Sequence, residues 1–450
     1  LNIVRNKLKI NSNIQKNARD IRYKILSQYC EKKEIKFVIT AHNLDDQVET
    51  FFIRLARGSG LTGLSSMSTL NRFSKNTSVF RPLLDIEKKS LVYISKKIFG
   101  KYIKDPSNKD TKYFRTKVRN LKKPLKDSGI EYSQIIKSIK NLASSKATLD
   151  NFINKILKEN AEKMMSKPKG LLAMDESSPT CAKRFAGVGI EDSENNRRRY
   201  RELIVTTPNL SDYISGAILF DETFHQKMSS GEYFRDYLNS IDILPGIKVD
   251  TGAKDFSNHE NEKVTEGLDN LRDRLKNYAD LGAKFCKWRA VITIGKNIPS
   301  YACIMSNCNS LARYASLCQE NNLVPIVEPE ILINGDHSIE TCDKYTRQTL
   351  DILFEQLNLL NIYLSGTILK PSMVISGDKN TNRAAPETVA EMTISCLKDK
   401  CPNDLGGVAF LSGGQTDDEA TNHLNIMNKL NSNHPWRVTF SYARAIQQSA

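Results

Sequence analysis

The second half of the chain contains eight short apolar runs, and each ends in an ionisable residue or one suited to holding a phosphate. In order they are GLLAMDES with Asp175, GAILFDETF with Asp221, PGIKVD with Lys248, FCKWRAV with Lys287 and Arg289, PIVEPEIL with Glu328 and Glu330, GTILKPSMV with Lys370, VAFLSGG with Ser412, and RVTFSYAR with Arg444. Successive runs lie about 30 to 45 residues apart, room for a strand, a loop, a helix and a return, which is the repeating unit of a (β/α)8 barrel. In that α/β architecture the functional groups come from the carboxyl ends of several strands and meet in one pocket. Lys, Arg and Glu sit inside these runs among Val, Ile and Leu, and such side chains are rarely buried unless paired. Half-exposed strands with charges facing solvent would explain one run. Eight of them at this spacing predict a C-terminal TIM barrel.

At 450 residues the chain exceeds one ordinary domain, and charge shows where it divides. Residues 1–160 carry 34 Lys and Arg against 14 Asp and Glu, an excess of +20. Whole-chain totals of 66 and 51 leave 32 and 37 for the remainder, a balance of −5. A basic first third is what neutralising nucleic-acid phosphates requires, although coding bias toward Lys, Asn and Ile would raise the same count. The mildly acidic remainder is ordinary for a metabolic enzyme. Nine Cys, odd in number and without a CxxC pair, fit reduced cytosolic thiols better than a disulfide frame. Six scattered His with no HxH or HxxxH spacing give a zinc site little support, and no metal is expected. No apolar run reaches membrane-spanning length, and LNIVRNKLKI lacks the form of a secretory signal. A cytoplasmic protein is expected, with a Leu at position 1 that hints at a shortened start.

In the basic region, residues 17–34 read as a helix and KFVITAH, residues 36–42, as a buried strand. Leu44 to Gly58 is a well-signed helix, with acids in its first turn, Arg in its last and Gly at its end. RGSGLTGLSSMSTL reads as a loop, KDPSNKDTKYFRTKVRN as polar and basic, and residues 131–161 as a Lys-rich helix. The boundary is expected between residues 155 and 165.

Lys370 is the first candidate for chemistry, because it ends an apolar run and Pro371 stops the strand behind it. A lysine attacks a carbonyl only as the free amine, which calls for a low-dielectric site or a neighbouring cation. Lys287, two strands along, would be that cation, with Arg289 on the same face. Glu328 and Glu330 fall between them in strand order, where one would shuttle protons. Asp175 would take a hydroxyl proton from across the barrel. Ser412, Gly413 and Gly414, with the backbone after Ser441 and the Arg444 side chain, end strands seven and eight, the usual phosphate position in such barrels. Together these residues predict a Schiff-base lyase acting on a phosphorylated ketose.

On the motifs GLLAMDES, ENNRRRYRELI, GAILFDETF, PGIKVDTGAKD, KFCKWRAVITIG, LARYASLCQENNLVPIVEPEIL, SGTILKPSMV, FLSGGQ and TFSYARAIQQ, residues 160–450 closely resemble class I fructose-bisphosphate aldolase. The resemblance implies that Lys370 forms the imine, Glu328 is the general acid and base, and Asp175 assists carbon–carbon cleavage. Lys287 and Arg289 would stabilise charge at the breaking bond, Glu330 would hold the lysine cluster, and Lys248 would lie beside it. Ser412, Gly413, Ala443 and Arg444 would hold one phosphate, with Ser177 and Arg184 approaching the other. It implies sugar-phosphate substrates, no cofactor and a homotetramer. Two departures stand out. Ala443 replaces a Gly found in many members, and the chain ends at Ala450, ahead of the family's last helix and tail. The last strand is therefore expected to leave apolar surface uncovered.

TAHNLDDQVETFFIRLARGSG places His42, Asp45 and Asp46 at a strand end and a helix start, where carboxylates meet Mg and a nucleotide or simply suit the helix dipole. With ARDIRYKIL, RPLL and KDPSNKDTKYFRTKVRN, this makes residues 10–145 similar to tRNA(Ile)-lysidine synthetase, an ATP-using tRNA-modifying enzyme. The resemblance implies a partial α/β nucleotide-binding domain of the PP-loop ATPase kind within residues 1–155, with His42 and Asp46 facing the adenylation site and Arg115 meeting nucleotide or tRNA. ATP and Mg would bind only if that segment were active. No SGGxDS loop precedes Ala18, so the ATP phosphates are expected to lack their cradle and lysidine synthesis by this chain alone is not expected. Two other readings stand beside the aldolase: an RNA-tethered chain with an inert barrel, and two joined gene fragments, which a native peptide spanning residues 150–175 would decide.

Overall fold

The computed structural model describes residues 14–72, 77–102, 114–430 and 434–447. Two compact units make up the chain, Leu1–Phe152 and Ile153–Ala450. LNIVRNKLKI and most of KDPSNKDTKYF lie outside the described residues.

In the first unit the helix Ile14–Lys32 leads to β1 (Phe37–Ile39), followed by the helix Leu44–Leu55, β2 (Leu70–Arg72), β3 (Ser78–Phe80) and the helix Lys88–Phe99. The sheet order is β1-β3-β2, with β1 parallel and β2 antiparallel to β3. Asn43 and Asp46 form a reciprocal capping box that starts the helix Leu44–Leu55. Its Val48 packs with Tyr132, Ile135, Ile136 and Ile139 in a small core. The run 36–42, expected as a buried strand, yields only three strand residues, with Phe37 57% and Ile39 69% exposed. Phe37 and Ile39 share one face of this edge strand, and that face is uncovered among the described residues. RGSGLTGLSSMSTL, expected as loop, contains the one-turn helix Leu61–Leu64.

The second unit is a closed barrel of eight parallel strands: β4 (Gly170–Met174), β5 (Ile214–Leu219), β6 (Leu244–Lys248), β9 (Phe285–Ile292), β10 (Val324–Ile331), β11 (Ile368–Leu369), β12 (Gly407–Phe410) and β13 (Val438–Tyr442). Each of the eight apolar runs supplies one strand. An antiparallel hairpin, β7 (Gly252–Asp255) with β8 (Lys263–Glu266), is inserted between β6 and β9. Helices wrap the outside, and several carry a sequence-encoded start: Ser300 accepts from the Cys303 amide at 3.1 Å and Ser338 from the Thr341 amide at 3.3 Å.

The barrel interior is a packed core. Leu171, Ala173, Ile218, Phe285, Val324, Ile326, Ile368 and Ala409 form one buried cluster with Leu157, Ala161, Met164 and Met165. Those last four belong to the end of the helix Tyr132–Met164 and the residue after it, which pack against the inward residues at the strands' amino ends. The Phe285 ring takes space that Gly216 and Gly246 leave open on the two preceding barrel strands. A Cβ at Gly246 would fall 2.2 Å from a ring carbon, and one at Gly216 would fall 3.0 Å away. With its lower half filled this way, the barrel opens only toward the carboxyl ends of the strands, where the charged residues stand. Val438 and Tyr442 of the last strand are buried, so the exposed apolar surface expected there is not seen at these two residues. All nine cysteines are free and buried. No helix of the described residues is long and apolar enough to cross a membrane.

Candidate active site

A pocket of about 270 Å³ opens at the carboxyl ends of the strands. Of the residues singled out from the sequence, Asp175, Ser177, Arg184, Lys248, Lys287, Arg289, Glu328, Glu330, Lys370, Ser412, Gly413, Ser441, Ala443 and Arg444 all line it. A larger open groove of about 740 Å³ runs beside Arg383, Glu419 and His423. Arg383 and Glu419 pair there at 2.8 Å, and none of the barrel's lysines lines it, so the smaller pocket is the candidate site.

Across its floor runs a row of four alternating charges. Lys370, the residue after β11, is held by a hydrogen bond from its amide to the Val327 carbonyl at 2.8 Å. Its Nζ lies 3.1 Å from Glu328 Oε1. Lys287 Nζ lies 3.1 Å from Glu328 Oε2 and 2.8 Å from Asp175 Oδ2. Lys370 and Glu328 are each 3% exposed and Lys287 4%. The Lys287 approach to Glu328 Oε2 is an ion-pair contact without hydrogen-bond geometry, which leaves this oxygen without a hydrogen-bond partner among the described residues. Burial pushes the Glu328 carboxyl up, but Lys287, Lys370 and Arg289 outweigh it and hold the group below the usual carboxylate range. Asp175 shows the same balance, with burial opposed by Lys287 and Lys370, and also ends well below its ordinary value. For Lys287 the signs reverse: burial lowers it, Asp175 and Glu328 raise it, and it stays firmly protonated.

Register explains why these groups meet. Lys287 and Arg289 are two apart on β9, Glu328 and Glu330 two apart on β10, and Glu328 pairs in register with Arg289. Lys248 is the register partner of Lys287 on the neighbouring strand. Its Nζ lies 3.4 Å from Asp250 Oδ1, while Asp250 Oδ2 accepts from the Arg289 amide at 3.2 Å. Arg289 Nε bonds to Glu330 Oε2.

At the other side, Ser412 and Gly413 follow β12, while Ser441 is the next-to-last residue of β13, ahead of Ala443 and Arg444. The Ser441 hydroxyl is buried and has no hydrogen-bond partner among the described residues. Gly413 takes a φ of +56°, which favours glycine. Ala443 is not among the residues with positive φ, so its side chain costs the backbone nothing. Gly414 does not line the pocket. Neither does Asp221, which lies at the end of β5 and accepts from the Tyr278 hydroxyl at 2.5 Å. The start of the helix Ser178–Gly187 adds Thr180 and the Ser177 that precedes it, whose hydroxyls stand 3.1 Å apart. Ala173, Glu176, Thr180 and Leu411 line the pocket without having been singled out. Glu176 adjoins Asp175 in MDES, the one signal that would have found it.

In the first unit, His42 Nδ1 bonds to the Thr40 hydroxyl at 2.8 Å. Asp45 accepts from the Lys88 amide at 2.9 Å and pairs with Lys122. Asp46 pairs with Arg115 at 3.0 Å. Glu49, 2% exposed, receives Arg115 at 2.7 Å and Arg119 at 2.6 Å. Asp45, Asp46 and Arg115, the residues expected to meet nucleotide, Mg or tRNA, are thus each paired with a neighbouring side chain. Among the described residues no group of three His, Cys, Asp or Glu side chains is disposed to hold a metal ion.

A parallel eight-stranded barrel with a buried lysine at the centre of its open end defines a (β/α)8-barrel enzyme. Residues 156–450 match the family model of fructose-bisphosphate aldolase class-I, and residues 1–124 match that of the PP-loop domain. A probable fructose-bisphosphate aldolase class 1 of Xanthomonas campestris is 57% identical over 294 residues, 65% of this chain and 88% of that protein. A cytosolic fructose-bisphosphate aldolase of Arabidopsis thaliana is 48% identical over 64% of this chain and 74% of its own length. Among solved structures, the fructose-bisphosphate aldolase of Plasmodium falciparum, crystallised with TRAP and a small-molecule inhibitor, superposes with a TM-score of 0.65. It is 44% identical, over 66% of this chain and 86% of that one. The chain belongs to the class I fructose-bisphosphate aldolase family, with a PP-loop domain at its N-terminal end.

Proposed function

We propose that the barrel cleaves fructose 1,6-bisphosphate to dihydroxyacetone phosphate and glyceraldehyde 3-phosphate through an imine on Lys370. The observation that carries this reading is the 3.1 Å approach of Lys370 Nζ to Glu328 in a water-poor floor. Lys370 gives a proton to Glu328 and attacks the C2 carbonyl as the free amine, and the resulting carbinolamine loses water as Glu328 returns that proton to the departing oxygen. Asp175 takes the C4 hydroxyl proton, and the C3–C4 bond breaks with its electron pair moving into the enamine. Lys287 and Arg289 stabilise the charge at the breaking bond, Glu330 holds Arg289, and Lys248 backs Lys287. The enamine is then protonated at C3, and water releases dihydroxyacetone phosphate from Lys370.

C1 neighbours the imine carbon and β12 neighbours β11, so the 1-phosphate is assigned to Ser412, Gly413, Ser441, Ala443 and Arg444, with Gly414 shaping the turn. The 6-phosphate, four carbons further on, is assigned to Ser177 and Arg184. These groups supply the chemistry without a cofactor, and EDTA is expected to leave it unchanged. A cytoplasmic homotetramer is the expected state. A coupled assay for glyceraldehyde 3-phosphate tests the reading. Cleavage that disappears in Lys370→Ala supports it, and cleavage that persists in that variant refutes it.

A second reading rests on the +20 excess of residues 1–160 and the PP-loop match: the first unit holds tRNA or another RNA. Binding through phosphate contacts weakens steeply as salt rises, and salt-insensitive binding would count against it. ATP-dependent lysine incorporation into tRNA is expected to give no product.

A further inference from the structure

We propose that Gln447 is a positioning residue that fastens Arg184 so that one edge of its guanidinium is presented to the distal phosphate. The two N–H groups of Arg184 Nη1 are shared among three acceptors: Glu176 Oε1 at 2.7 Å, the Tyr200 hydroxyl at 3.1 Å and Gln447 Oε1 at 2.9 Å. Arg184 Nε and Nη2 have no hydrogen bond among the described residues, although the side chain lines the pocket. One nitrogen is therefore anchored three ways, while the remaining edge keeps the parallel donors that suit a phosphate. An arginine held at one nitrogen loses less freedom when an anion arrives.

Gln447 is the member of this anchor that ties the two ends of the barrel sequence together. It lies in the short helix Arg444–Gln447, next to the assigned 1-phosphate group Arg444. Its Oε1 accepts from Arg184 and from the Tyr200 hydroxyl at 3.2 Å, and its Nε2 donates to the Ala173 carbonyl at 3.0 Å, two residues before Asp175. Every polar atom of the amide is thus used, and the short helix after β13 is clasped to β4 and to the helices Ser178–Gly187 and Glu194–Val205 that follow it. Glu176 is fixed from behind by the buried Arg201, whose Nη2 donates to its carbonyl at 2.8 Å, so the anchor has little room to shift.

This rests on the aldolase reading and on the assignment of the 6-phosphate to Arg184. The test compares KM for fructose 1,6-bisphosphate, which has the distal phosphate, with KM for fructose 1-phosphate, which lacks it. Gln447→Ala and Gln447→Met are expected to raise the ratio of the two KM values about fivefold, with kcat for each substrate within about twofold of the parent. Gln447→Glu keeps an acceptor for Arg184 and Tyr200 but loses the donor to Ala173, and its ratio is expected to lie nearer the parent value than that of Gln447→Ala. Tyr200→Phe loosens the same anchor from another helix and should move the ratio in the same direction as Gln447→Ala. An unchanged ratio in Gln447→Ala and Gln447→Met, or an equal loss for both substrates in every variant, overturns the proposal. If the parent chain cleaves neither sugar, the aldolase reading fails, and calorimetric binding of the two sugars to the parent and to Gln447→Met still decides the clasp.

Discussion

Glu328 stands 3.1 Å from Lys370 Nζ with one carboxylate oxygen, while its other oxygen has no hydrogen-bond partner among the described residues. That second oxygen meets only the ion-pair approach of Lys287 at 3.1 Å, so the carboxylate can take a proton from Lys370 and return it to a leaving hydroxyl without first breaking a hydrogen bond at Oε2. Glu328→Gln keeps the shape and removes the proton shuttle. Its kcat is expected to fall about 10² to 10⁴-fold, with imine formation slowed in single-turnover measurements. An unchanged rate of imine formation would move the proton-transfer role to another group.

Lys287 holds both Asp175 and Glu328 below the ordinary carboxylate range against the opposing push of burial. In Lys287→Met that hold is lost and burial lifts both groups. The acid limb of kcat/KM should then move to higher pH. Stability follows the same sign: the contribution of a depressed carboxyl is present above its unfolded pKa and is lost as pH falls through the folded value. With Asp175 less depressed, acid unfolding should begin at a higher pH than in the parent. An acid limb and acid midpoint that both stay in place would show that Lys287 does not govern these carboxylates.

Arg444 follows the last strand and lines the pocket beside Ser412 and Gly413. Replacing it with Ala removes a charge-assisted phosphate contact while leaving the buried lysine row untouched. KM for fructose 1,6-bisphosphate is expected to rise about tenfold or more, with melting temperature nearly unchanged. A fall in kcat at constant KM would place Arg444 in the chemistry rather than in phosphate binding.

Gly246→Ala places a methyl group 2.2 Å from the Phe285 ring. Overpacking of this kind costs about 1 to 3 kcal/mol, read as a lower unfolding midpoint. Gly246→Ala combined with Phe285→Leu should recover part of the loss, whereas additive losses would place the strain elsewhere.

The barrel was legible because its strands carry their chemistry at a fixed spacing. The runs ending in Asp175, Asp221, Lys248, Lys287, Glu328, Lys370, Ser412 and Arg444 each became a barrel strand. Residues two apart on one strand, such as Lys287 with Arg289 and Glu328 with Glu330, share a face, so most of the candidate pocket could be read as well. Asp221 ends its run in the same way but lies outside the pocket, bound by Tyr278, because a run's last charge records where a strand stops and not where the side chain goes. The packing of Leu157, Ala161 and Met164 against the barrel interior was hidden, since a 3.6-residue period is the same whether a helix wraps a barrel or closes its end. The Arg184 anchor joins Glu176, Tyr200 and Gln447 from separate parts of the sequence, and no local spacing signals such a meeting. In the first unit, Phe37 and Ile39 have the composition of a buried strand, but burial depends on what packs over the face of the sheet and not on the strand's own residues.

The central claim is that Lys370 carries the substrate as an imine, and borohydride trapping tests it most directly. The intact chain and Lys370→Ala are incubated with dihydroxyacetone phosphate, reduced, digested and mapped by mass spectrometry. A reduced adduct on the peptide containing Lys370, absent from the variant, is the predicted result. A folded parent chain that yields no adduct, or one whose adduct sits on Lys287 or Lys248, would contradict it.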